Sequence, residues 1–153
     1  MPLDEVLAKL DPAHIAELKK PQFIIRSQAT FQDGMRRILN DVHVVDGGAL
    51  LFDVEGQTWA RFSHSNILVE NEEGPAKDAF LAFQQACREC EAGIVTAPGD
   101  ILLVNNRLAL HGRATVGTDV GGESRWLLRA YGLHTDMLSE TQRYSAPSFM
   151  LFP

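Results

Sequence analysis

The chain has 153 residues, 45% of them hydrophobic and 22% charged, with a formal net charge of −6. That is the size and composition of one soluble globular domain, residues 1–153, with a core of its own. The acidic balance and the lack of any Lys/Arg cluster argue against a nucleic-acid partner. No apolar run nears the ~20 residues of a membrane helix, and Met1-Pro2-Leu3-Asp4-Glu5 is not a secretory signal, so the sequence predicts a cytoplasmic protein with no membrane partner.

Residues 4–20 carry a helical pattern through Leu7, Leu10, Ile15 and Leu18. Asp11-Pro12 breaks it, with Asp11 placed as N-cap and Pro12 as first helical residue. Pro21 ends the helix. The period then changes. Phe23-Ile24-Ile25-Arg26 reads as a strand, as does Val42-His43-Val44-Val45, closed by Asp46-Gly47-Gly48. Ala49–Asp53 and Thr58–Phe62 are strands joined by a Glu55-Gly56 turn. Residues 75–92 form the best helix. Ala76, Ala79, Phe80, Phe83, Ala86, Cys87 and Cys90 share one face, with Pro75 at its start and Gly93 past its end. Cys87-x-x-Cys90 has no second ligand pair at zinc spacing and no preceding strand, so it reads as two small apolar residues on that face.

Further strands are predicted at Ile94–Thr96, at Ile101–Val104 after a Pro98-Gly99-Asp100 turn, and around Arg125–Leu133. The apolar tail through Phe149, Met150, Leu151 and Phe152 is expected to be packed. The fold class is α+β, mainly β, with short strands and one inserted helix in a sandwich or jelly roll.

The chemistry concentrates in residues 98–133. His111 sits among Leu108, Ala109 and Leu110; such a histidine serves either as a metal ligand or as an ordinary core or surface residue. Arg125 and Arg129 flank Trp126-Leu127-Leu128 on one predicted strand face. Two guanidiniums in apolar surroundings need anions, either a carboxylate ligand or carboxylates of the protein itself.

The series Pro98-Gly99-Asp100, Asn106, His111-Gly112-Arg113, Gly121-Gly122 and Arg125-Trp126-Leu127-Leu128-Arg129 resembles the C-terminal motif of clavaminate-synthase-like oxygenases, of the taurine dioxygenase superfamily. The resemblance implies a double-stranded β-helix, Fe(II) as metal and 2-oxoglutarate as cosubstrate. It makes His111 the third iron ligand and puts Arg125 on the distal carboxylate of 2-oxoglutarate. Arg129 falls near the cosubstrate or substrate carboxylate, and Asn106 and Arg113 fall around the ligand. The implied reaction is hydroxylation of an amino-acid-like small molecule. Asn105 stands where the family often has aspartate. The segment Arg61-Phe62-Ser63-His64-Ser65 lacks an acid that a cationic substrate would use.

The family's first two ligands come from a His-x-Asp/Glu motif upstream of the third. No such motif precedes His111: His14, His43 and His64 all lack the acid. His134-Thr135-Asp136 has the pattern but follows Arg129. The expectation is therefore the C-terminal half of an oxygenase, without its N-terminal half and inactive in isolation. The alternative is a non-catalytic carboxylate-binding or interaction module. A zinc enzyme using His111 and His134-Thr135-Asp136 is a weaker rival.

Overall fold

A computed structural model describes residues 1–63, 65–71 and 73–112, together with Leu128. The chain divides into a unit from Met1 to Gly112 and a second from Arg113 to Pro153. The described residues belong almost wholly to the first. The predicted strand at 125–133 (Leu128 apart) and the apolar tail lie outside them.

Two short helices open the chain, α1 (Leu3–Leu7) and α2 (Pro12–Leu18). The break between them falls at Asp11-Pro12, as the sequence predicts. Asp11 is extended at the N-cap, and Pro12 supplies a φ already suited to the first turn. Strand β1 (Phe23–Arg26) follows. Helix α3 (Ala29–Leu39) comes next and is absent from the sequence prediction. It ends at Asn40, whose φ of 57° is a left-handed conformation that asparagine tolerates.

Strand β2 (Val44–Gly48) pairs antiparallel with β1. Asp46-Gly47-Gly48 is therefore not the closing turn predicted from sequence; it belongs to the strand. Phe23 faces Gly48 while Ile25 faces Val45, so β2 carries one extra residue against β1. That is a bulge, and Gly47 supplies its left-handed φ of 69°. Strands β3 (Leu51–Val54) and β4 (Gln57–Ala60) form a hairpin. Glu55 and Gly56 both have positive φ, which a two-residue type I′ turn requires. Strand β5 (Ile67–Leu68) completes a three-stranded sheet in the order β2-β1-β5.

Helix α4 (Pro75–Glu89) has the predicted face. Ala79, Phe80, Phe83 and Ala86 are buried, with Ala76, Cys87 and Cys90 packed beside them. The helix lies mainly against α2 and also against α1. Phe23, Phe83, Leu18, Leu50, Leu51 and Val6 are the largest fully buried side chains. Phe62 meets Phe83 edge-on at 5.0 Å between ring centres. On the hairpin, Asp53 accepts from Lys19 Nζ at 2.7 and 2.8 Å and from Thr58 Oγ1 at 2.7 Å. These bonds hold its carboxyl below the usual range.

The described residues are thus α+β with antiparallel strands, but helices take the larger share and there are four of them. The predicted strands at 94–96 and 101–104 do not form. The turn between them does: Gly99 has φ 93°, and the Asp100 N–H donates to the Ala97 carbonyl at 3.1 Å. The flanking apolar residues are open to solvent, Val95 at 97% and Leu103 at 89%. A strand needs a partner ladder, and no described strand lies alongside these residues.

Phe83→Ala should cost about 3–5 kcal/mol in denaturant unfolding, because it empties the centre of the core. Val95→Thr should stay within about 0.5 kcal/mol, because that side chain is almost wholly exposed. A large cost at Val95 would mean that the segment is buried.

Candidate functional site

The residue expected to bind metal follows a tightly held stretch of backbone. Asn105 shapes its start: its Oδ1 accepts from the Arg107 N–H at 3.0 Å, and its carbonyl accepts from the Leu108 and Ala109 N–H groups at 3.1 and 2.9 Å. Two edges then grip residues 107–110. On one, the Leu3 N–H donates to the Leu108 carbonyl at 2.8 Å and the Leu110 N–H to the Met1 carbonyl at 3.0 Å, around a Pro2–Ala109 bridge. On the other, the Ala60 N–H donates to the Arg107 carbonyl at 3.2 Å. Leu110 is buried in the core, and His111, next along the chain, is exposed.

Asn106 is exposed in the turn before this stretch. Arg113, Arg125 and Arg129 lie outside the described residues, so only His111 and Asn106 of the predicted site have a described position. Among the described residues no group of three His, Cys, Asp or Glu side chains could hold a metal. Two concavities, of about 430 and 190 Å³, are lined by Asp41–Val44 and by the turn between α1 and α2 together with residues of α2 and α4; His111 lines neither.

One charged cluster escapes sequence reasoning. Phe52 and Trp59 are cross-strand partners on the hairpin, edge to face at 6.2 Å. The Arg107 guanidinium stands 5.9 Å from the Phe52 ring centre and 5.6 Å from that of Trp59, and Arg61 stands 5.4 Å from Phe52. Burial first, and then the Arg61 charge, lower the pKa of Arg107. The signal in sequence was slight: Arg61 follows Trp59 at strand spacing, but only the fold brings Arg107 to the same rings.

A 51-residue stretch is 43% identical to the L-ornithine/L-arginine 3-hydroxylase of Catenulispora acidiphila, covering 31% of this chain and 15% of that protein. The resemblance to the oxygenase family thus has a matching relative. The chain spans well under a quarter of that relative's length. The non-heme iron oxygenase OrfP, solved in complex with Fe, superposes with a TM-score of 0.42 at 19% identity, over 54% of this chain and 25% of OrfP. A likeness at that level fixes neither fold nor function. No protein-family model matches the chain. Among the described residues no helix is long and apolar enough to cross a membrane.

Cys87 and Cys90 are free thiols, partly buried on α4. Burial, and then the neighbouring Cys90, push Cys87 up to about 11. A thiol that is protonated at neutral pH is a poor metal ligand and a poor nucleophile, which agrees with the packing role read from sequence. Iodoacetamide should therefore label Cys87 slowly at neutral pH and faster as pH rises toward 11. Rapid labelling at pH 7 would contradict that environment.

Proposed function

We propose that this chain is the C-terminal part of an Fe(II)/2-oxoglutarate-dependent oxygenase that hydroxylates an amino acid or a related small molecule. The observation that carries this reading is the residue series from Pro98 to Arg129, supported by the partial match to an amino-acid hydroxylase. In this reading the fold completes as a jelly roll, with His111 one of three metal ligands. Arg125 holds the distal carboxylate of 2-oxoglutarate through its two-pronged N–H edge, and Arg129 adds positive charge nearby. Asn106 and Arg113 support the turn and the segment around His111. When bound, iron would supply the oxidising chemistry; the protein's share is position, charge and exclusion of water.

The described residues do not by themselves build that metal site. His111 is an exposed single imidazole, and a 2-His-1-carboxylate site needs three ligands on one face. The remaining two have to come from residues outside the described set or from another polypeptide. A second reading of the 153-residue chain is a carboxylate-binding module that keeps the arginine clamp.

Two measurements test these readings. The purified chain, incubated in air with Fe(II), 2-oxoglutarate and a panel of amino acids, should form no succinate; turnover would show that it holds a complete site. Calorimetry without iron should detect 2-oxoglutarate binding that Arg125→Ala weakens about tenfold or more. Unchanged binding in that variant would take Arg125 out of the carboxylate clamp on which both readings draw.

A further inference from the structure

The hairpin face that carries Phe52 and Trp59 draws two arginines, and no acid among the described residues pairs with either. Arg61 and Arg107 approach the same Phe52 ring, and Arg107 also covers Trp59. Their segments are tied together by the Ala60 N–H to Arg107 carbonyl bond, which sets the two residues' backbones side by side. Among the described residues neither side chain joins an ion pair or donates a hydrogen bond. The acid on the adjoining strand, Asp53, is already engaged by Lys19 and Thr58. The Trp59 indole nitrogen is also buried and unpartnered among the described residues.

Two like charges drawn to one aromatic ring, one of them partly buried, with no counter-ion among the described residues, raise the energy of the empty arrangement. A cation–π contact uses the charge of a guanidinium and leaves its N–H fork available. That fork matches a carboxylate, and the neighbouring ring edges suit the carbon body such an anion carries. We propose that Arg61 and Arg107, standing over the Phe52–Trp59 pair, form a binding site for a small carboxylate anion. The oxygenase reading makes no use of this site. Both arginines belong to the first unit of the chain, and neither is needed for the 2-oxoglutarate clamp assigned to Arg125.

The test uses the full chain carrying Arg125→Gln and Trp126→Phe. Trp59 is then the one indole, and the guanidinium at position 125 contributes nothing. Succinate is titrated at low ionic strength while Trp59 fluorescence is followed. A saturable change is expected, with the apparent Kd rising about tenfold or more in Arg61→Gln and in Arg107→Gln. If Arg107→Gln lowers the unfolding midpoint, Arg61→Gln, at an exposed position, decides the matter. Absence of a saturable change, or a Kd that neither glutamine variant alters, overturns the site. Inorganic phosphate binding more tightly than succinate overturns its assignment to carboxylates.

Discussion

The backbone of residues 107–110 depends on two neighbours at once, and the position of His111 follows from them. Met1 and Leu3 hold it on one side and Ala60 on the other. Buried peptide groups need such partners, because an unpaired N–H or carbonyl costs about 1–3 kcal/mol. Leu110 then drops into the core beside Leu3 and Val6. One residue later the alternation of an extended chain turns His111 outward. The imidazole thus follows a turn and an isolated bridge that main-chain hydrogen bonds hold on two sides.

The core supplies the rest of that support. The amphipathic face of α4 covers α2 and α1 and meets Phe62 from the end of the hairpin. The Leu18 carbonyl accepts from Leu50, and the Leu50 carbonyl accepts from Arg61, so the helical layer and the hairpin are stitched together by main-chain bonds. The bulge at Gly47 lets β2 stay paired with β1 despite its extra residue. Gly48 also has to be small, since a Cβ there would stand 2.7 Å from Ile25 Cδ1.

Local signals made much of this legible. Asp11-Pro12, Glu55-Gly56 and Pro98-Gly99-Asp100 are punctuation that acts within a few residues, and each breaks or turns the chain where expected, although the Asp11 side chain makes no capping hydrogen bond. The α4 face was equally plain, because one apolar stripe at helical spacing has few other uses. Helix α3 was missed because its sequence, ATFQDGMRRIL, has Gly34 at its middle and no capping side chain at its start. The failures at Ile94–Thr96 and Ile101–Val104 have another cause. Their β-branched runs state a preference for a ladder, but a ladder needs a second strand, and single-chain pattern cannot say whether one is there. The same limit governs the site. The residue types at 98–129 name a chemistry, yet they cannot say that Arg107 will reach Phe52 and Trp59, because that contact joins residues far apart in sequence.

The oxygenase reading therefore rests on one shared cavity for two groups, the His111 imidazole and the Arg125 guanidinium. The most direct measurement is a crystal structure of the full chain grown with 2-oxoglutarate. The account predicts one ligand molecule with its far carboxylate on Arg125 and its other end directed at His111. Side chains of 111 and 125 that open into separate compartments, with no ligand between them, would contradict it.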